Sequence, residues 1–234
     1  MIYITGDKHA KFAPVAAFCD THETTVDDTL IILGDAGINF HGEAKDRLKK
    51  NALRKLPITL FCLHGNHDMR PATIPGYREI PYRGGTVYRE DGYDNLLFAK
   101  DGSIFDFDGL STLVIGGAYS LDKDFRIALK WPWFEDEQPS DLVKKRVEET
   151  LAAHNHQVDV VLSHTAPLSH LPFSEKPRRF SALDVDVTTE TWLAELEQKL
   201  DYRHWYCGHF HVDRHIGRFT FMLDDFLPYG HFRE

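Results

Sequence analysis

Cysteine is scarce in this chain. Cys19, Cys62 and Cys207 are all it has, an odd number, far apart and without Cys-x-x-Cys spacing. That argues against a disulfide framework and fits a reducing compartment. Basic charge is in short supply too: the formal net charge is −9, so no basic stripe is available to grip a nucleic-acid backbone, and a nucleic-acid partner is disfavoured. Bound metal ions would still make a pocket locally positive. No apolar run approaches the roughly 18 residues that a membrane-spanning helix needs. The apolar start, Met1 to Gly6, meets Asp7 and Lys8 too soon to act as a signal peptide. A cytoplasmic protein without a membrane partner is expected. No repeat, low-complexity tract or linker divides the chain, so residues 1–234 are expected to form a single domain.

Apolar residues are plentiful, at 42% with 12% aromatic, enough for a sizeable buried core. Ile2–Thr5, Thr29–Leu33 and Ile58–Leu63 read as buried strands, with helices expected over Phe12–His22 and about Glu43–Lys55. Pro14 is tolerable in a helical first turn. This alternation implies parallel crossovers, whose ligand crevice lies beyond the carboxyl ends of the strands. Between Tyr77 and Ile115, turns such as Gly84-Gly85 and Asp108-Gly109 separate short β-type runs over Thr86–Tyr88, Leu96–Phe98, Ser103–Phe107 and Ser111–Ile115, the look of antiparallel strands. Residues 116–140 are polar and aromatic without periodicity, suiting an active-site loop or lid. Ser140 is placed to cap a helix over Asp141–Ala153. Then come a strand over Val158–Leu162, a helix over Thr189–Leu200, a strand over His204–Cys207 and a terminal pair near His215-Ile216 and Phe219–Leu223.

Chemistry concentrates where these strands end. Asp7-Lys8-His9, Gly34-Asp35, Gly65-Asn66-His67-Asp68, Ser163-His164 and Gly208-His209-Phe210-His211 each follow an apolar run. Residues two apart at an extended strand end point to one side, so Asp7 with His9, and His209 with His211, could each grip one ion. Asp35 could bridge two ions with its two oxygens. Gly65 would let backbone approach a crowded centre, while Asn66 offers a neutral oxygen and His67 an ionisable group. Singly each motif is an ordinary turn or a satisfied histidine; five in succession are hard to explain that way. Carboxylates, imidazoles and one amide together suit a pair of divalent ions.

In these motifs the sequence resembles the calcineurin-like metallophosphoesterases, whose signature is Asp-x-His, Gly-Asp, Gly-Asn-His-(Asp/Glu), a lone His after a strand, and Gly-His-x-His. The resemblance spans residues 7–211. Gly116-Gly117-Ala118-Tyr119-Ser120, Asp122-Lys123 and Glu137-Gln138-Pro139-Ser140 further resemble a compact branch common in bacteria and their phages. The resemblance implies an α/β fold, a four-layer α/β/β/α sandwich of two mixed sheets flanked by helices. It also implies that Asp7, His9, Asp35 and His211 hold one metal and that Asp35, Asn66, His164 and His209 hold the other. His67 is then left as the catalytic histidine. Where protein phosphatases of this superfamily carry Gly-Asp-x-Val-Asp-Arg-Gly, this chain has Gly34-Asp35-Ala36-Gly37-Ile38-Asn39-Phe40, so that branch's phosphate-gripping Arg and the histidine's carboxylate partner are missing.

The implied reaction is hydrolysis of phosphate esters. Two ions roughly 3.5–4 Å apart can hold a bridging hydroxide in line with phosphorus and neutralise the non-bridging oxygens. His67 would protonate the leaving oxygen, with Asp68 either orienting it or capping the following turn. Mn is the ion expected in assays, Fe and Zn also suiting these ligands. Tyr119, Asp122, Arg126, Trp131, Trp133 and Phe134 form a stretch that could overhang the pocket, with Arg126 as phosphate clamp and Tyr119 as a second substrate contact. The expected partner is a phosphorylated small molecule or nucleotide. A phosphodiesterase or nuclease is the alternative, and a non-enzymatic scaffold on the same fold a more distant one.

Overall fold

The computed structural model describes residues 1–172 and 185–232. The first three strands, β1 (Ile2–Thr5), β2 (Thr29–Ile32) and β3 (Thr59–Cys62), pair in parallel, joined through α1 (Ala13–His22) and α2 (Glu43–Leu53). α1 begins with a proline in its first turn, where the missing N–H costs nothing. Then come β4 (Tyr77–Tyr82), β5 (Gly85–Glu90) and β6 (Leu96–Ala99), which complete one sheet, and β7 (Ile104–Phe107) and β8 (Leu110–Ile115), which open a second. The β4–β5 and β7–β8 hairpins turn at Arg83-Gly84 and Asp108-Gly109, with φ of 45° and 83°, and of 57° and 84°. Two successive positive φ values make these the tight turns that match strand twist.

The second half adds α3 (Lys123–Ala128), α4 (Asp141–Ala153), β9 (Val160–Ser163), α5 (Thr188–Glu197), β10 (His204–Cys207), β11 (Arg214–Ile216), β12 (Phe219–Phe221) and β13 (Leu227–Pro228). Ser140 does cap α4, its hydroxyl accepting from the Val143 amide at 3.4 Å. One sheet has the order β13-β1-β2-β3-β6-β5-β4 and the other β11-β12-β10-β9-β8-β7. Both mix parallel and antiparallel pairs.

Three apolar layers hold four layers of structure together. Ile4, Ile31 and Phe61 of the first sheet meet Phe105, Val114, Leu162 and Tyr206 of the second. Outside the first sheet, Leu30, Ile32 and Leu60 pack on Val15 and Phe18 of α1 and Leu53 of α2. Outside the second, Leu113, Val161 and Trp205 pack on Val147 and Leu151 of α4 and Trp192, Leu193 and Leu196 of α5. This is the expected α/β/β/α sandwich.

Local differences have physical causes. β4 was not expected as a strand because Pro81 and polar side chains interrupt its pattern; it lies at a sheet edge, where a proline without N–H is tolerated. β13, two residues long, caps the opposite edge by pairing antiparallel with β1. α3 lies inside the 116–140 segment, which had shown no helical period; at six residues it is too short to show one.

Candidate metal centre

All five motifs sit at the carboxyl ends of parallel strands. Asp7 and His9 follow β1, Asp35 follows β2, Asn66 and His67 follow β3, His164 follows β9, and His209 and His211 follow β10. The two sheets thus bring their ligand-bearing loops to one edge of the sandwich. The Asp7 carboxylate accepts from the His209 amide at 3.0 Å across a separation of 202 residues.

The seven side chains expected to hold metal converge. His9 and His211 face each other with their Nε2 atoms 2.9 Å apart, and lie 3.8 and 3.3 Å from Asp7 Oδ2. Asp35 turns its two oxygens to the two groups of imidazoles, Oδ2 being 3.8 Å from His9 Nε2 and Oδ1 3.6 Å from His164 Nε2. Asn66 Oδ1 lies 2.8 Å from His164 Nε2 and 3.1 Å from His209 Nδ1. Asp7 belongs with both His9 and His211 and with Asp35 and His164 as clusters that could close on an ion.

This arrangement lacks protons where it should need them. Asp7 Oδ2 is buried without a hydrogen-bond partner. His164 Nδ1 lies 2.7 Å from the Leu33 carbonyl, which can only accept, so Nδ1 carries a proton. In the neutral ring Nε2 is then a bare lone pair, aimed at the acceptor oxygens of Asn66 and Asp35. A histidine whose other nitrogen donates to backbone is the usual form of a metal ligand. The donor set, imidazoles and oxygens without thiolate, fits divalent first-row ions. The residues therefore fit the group.

Electrostatics agree. Burial raises the Asp7 carboxyl, but the His211 imidazole 3.3 Å away, the field of His164, the His209 amide and His9 more than offset it and hold it at about 2. Asp35 is pushed up, by burial and then by Asp7 next to it. Burial, then His164, lowers His209 to about 3, and burial lowers His9. His211 is raised, chiefly by the Asp7 carboxylate 3.3 Å away. Two buried carboxylates thus stand among imidazoles of which burial holds His9 and His209 toward the neutral form.

Backbone strain collects at the same place. His9, Asp35, His209 and His211 have φ of 43°, 47°, 66° and 53°, a left-handed conformation that L-residues adopt reluctantly. Such outliers cluster where structure serves function. Close approach is also enforced: a Cβ at Gly65 would lie 2.0 Å from Asp35 Oδ1, and one at Gly208 2.5 Å from Asp7 Oδ1.

His67 borders the same cleft, which encloses about 350 Å³ and has Leu121, Asp122 and Phe210 as its remaining walls. Its amide donates to Asp35 Oδ1 at 2.8 Å. Burial, then Arg126, lowers the imidazole to about 3. Asp68 does not reach it. The Asp68 oxygens accept from the Ala36 and Gly37 amides at 3.0 and 2.9 Å, so this carboxylate fastens the loop carrying Asp35. The carboxylate near His67 is Asp122, its Oδ1 3.7 Å from Nε2. Lys8 turns away, donating to the Leu223 carbonyl at 2.8 Å.

Expectations for the 116–140 stretch need correction. Arg126 does not overhang the cleft: it is 1% exposed, donates from Nε to the Pro132 carbonyl at 2.7 Å and from Nη1 to Ser120 Oγ at 3.1 Å, and leaves Nη2 without a partner. Trp131 is exposed and is not among the cleft's walls. Tyr119 is half-buried and lines a smaller recess beside His209 and Phe210. Sequence reasoning assigned no role to Ser120, Leu121 or Glu137; the clue was their place within the Gly-Gly-Ala-Tyr-Ser to Glu-Gln-Pro-Ser pattern.

The family model for calcineurin-like phosphoesterases matches residues 1–213. No curated protein matches the sequence. Among solved structures, TT1561 of Thermus thermophilus superposes with a TM-score of 0.51 at 13% identity, over 95% of this chain and 87% of that one, a likeness of fold.

Proposed function

The chain belongs to the calcineurin-like phosphoesterase family, a family of metal-dependent hydrolases of phosphoric esters, and from that premise we propose that it acts at a dinuclear centre. Asp7, His9, Asp35 and His211 would hold one cation, and Asp35, Asn66, His164 and His209 the other. The observation that carries this reading is the convergence of nitrogen and oxygen ligand atoms from five strand ends: His9 and His211 Nε2 lie 2.9 Å apart and 3.8 and 3.3 Å from Asp7 Oδ2, while Asp35 turns one oxygen to His9 and the other to His164. Divalent cations in such a cage supply Lewis-acid charge that activates water for attack on phosphorus and neutralises the non-bridging oxygens.

The chain's own groups do the rest. His67 stands at the cleft wall to protonate the leaving oxygen. Burial and Arg126 oppose its protonation; Asp122 and an anionic substrate favour it. Asp68 keeps the Asp35 loop in place by holding two successive amides. Arg126, with Nη2 free of protein partners, would bind a phosphate oxygen once the substrate displaces the side chains covering it. Tyr119 would meet the substrate from the neighbouring recess.

A cleft of about 350 Å³ is of small-ligand size, and Leu121 and Phe210 give it an apolar wall, which suits a phosphorylated small molecule or a nucleotide. The test is metal analysis of the purified protein, followed by Mn-supported turnover of an aryl phosphate against the corresponding bis-aryl phosphate. Two ions per chain and faster monoester turnover are expected. Faster diester turnover would make it a phosphodiesterase, and a protein that binds no divalent ion would defeat the proposal.

A further inference from the structure

Glu137 is a buried carboxylate, 3% exposed, that the proposed reaction leaves unused. Its oxygens receive the Ser120 amide at 3.1 Å, the Ser120 hydroxyl at 2.6 Å and the Trp133 indole N–H at 2.9 Å. A carboxylate only accepts, so the single hydroxyl proton of Ser120 is committed to Glu137. The serine oxygen keeps two lone pairs. Arg126 Nη1 takes one at 3.1 Å and Asn66 Nδ2 the other at 2.9 Å. Ser120 is fully buried and has no proton left to offer.

This chain of donors decides which way the Asn66 amide faces. Only its NH₂ end can satisfy Ser120, so Oδ1 is left pointing at His164 and His209, 2.8 and 3.1 Å away. Rotated by half a turn, the amide would aim two N–H groups at the same place and repel any cation there. We propose that Glu137 and Ser120 are positioning residues for Asn66, setting the polarity of its amide so that oxygen rather than nitrogen faces the second cation position. The same hydroxyl holds Arg126, so one buried carboxylate aligns both a proposed metal ligand and a guanidinium whose field acts on His67.

The inference rests on the dinuclear reading above. Its test is calorimetric titration of metal-stripped protein with Mn(II) alone, comparing the wild type with Ser120→Ala and Glu137→Gln, and recording thermal unfolding of each. Glu137→Gln keeps the shape but exchanges one acceptor oxygen for an N–H donor, which meets either the Ser120 amide or the Ser120 hydroxyl and the Trp133 indole, so the hold on the Ser120 oxygen, and through it on the Asn66 amide, is loosened. Ser120→Ala removes one oxygen and with it the reference for the amide. In each variant one Mn(II) site is expected to weaken by about 10–100-fold, the usual scale for lost outer-shell partners, while the other stays within about twofold. Two unchanged sites would overturn the proposal. So would equal weakening of both, which is what general loosening produces. If Glu137→Gln does not fold, Ser120→Ala decides alone. A wild type without Mn(II) binding would instead defeat the dinuclear reading itself, a result distinct from a wild type and variants that all bind two ions.

Discussion

Replacing Gly65 by alanine should disable the centre through a single methyl group. The added Cβ would lie 2.0 Å from Asp35 Oδ1 and 2.1 Å from the Asp35 amide nitrogen, where ordinary contact begins near 3.4 Å. Something must yield by about 1.4 Å. Neither neighbour is the loose end of a flexible side chain: the Asp35 amide is backbone, and its carboxylate is held by the His67 amide at 2.8 Å. Gly65 has no positive φ, so the effect is steric and not conformational. Overpacking costs about 1–3 kcal/mol, or very roughly 2–12 °C of melting temperature at about 2–4 °C per kcal/mol for a chain of this length. A misplacement near 1 Å can cost about 100-fold in rate, and the proposed ligand sets have Asp35 in common, so both sites should suffer. Gly109→Ala is the control: a Cβ there meets nothing within 4 Å, but its φ of 84° still strains a side chain. Thermal unfolding and metal content by elemental mass spectrometry should show both variants destabilised and only Gly65→Ala depleted of metal. A Gly65→Ala protein with two tightly bound ions would refute the reasoning.

His67→Ala should keep its metal while turnover falls by about 100-fold or more, and an active variant would remove His67 from the acid role. Chelation should abolish turnover and lower stability by about 2.7 kcal/mol relative to protein held at 100 times the dissociation constant, read from the melting temperature; full activity in chelator would contradict the metal assignment. Arg126→Lys keeps charge but loses the planar fork, so KM should rise at least about tenfold with metal content unchanged, and an unchanged KM would end the clamp assignment. Away from the centre, burial and then His215 hold His204 at about 4, below the ordinary 6.5. The unfolded chain therefore takes this proton first, and the stability concerned is complete above about pH 6.5 and is lost as pH falls through about 4. Urea unfolding in chelator at pH 7 and pH 5 should show His204→Gln losing about 2 kcal/mol less than wild type. Equal losses would mean that His204 is not the titrating group.

The sandwich was legible because its central strands are short, mostly apolar and mostly buried runs, each closed by a motif. β2, Thr29–Ile32, is buried at every position, which leaves no polar alternation to misread. Edges were harder: β4 tolerates Pro81 because, among the described residues, no further strand lies beyond it. The candidate ligands were legible as types and spacings, since each motif follows its strand directly. What surrounds them was not. Asp68 is next to His67 in sequence, yet its carboxylate serves the Ala36 and Gly37 amides, and the carboxylate that does approach His67, Asp122, lies 55 residues further on. Arg126 reads from sequence as part of an aromatic, charged stretch overhanging the pocket; in the structure Phe40 and Phe134 stand around its guanidinium, contacts that no local pattern encodes.

The cage draws on both sheets, with Asp7 and the His209 amide 3.0 Å apart across 202 residues. On the ribosome, Asp7 and Asp35 are made long before His164, His209 and His211, which would complete the proposed ligand set. Until β10 is made, a nascent chain carries five of the seven proposed ligands and lacks His209 and His211, whose strained turns follow the strand that pairs with β9. On the proposed ligand set, a full complement of two ions therefore has to wait for β10, and a chain broken ahead of β10 would lack two of the seven groups.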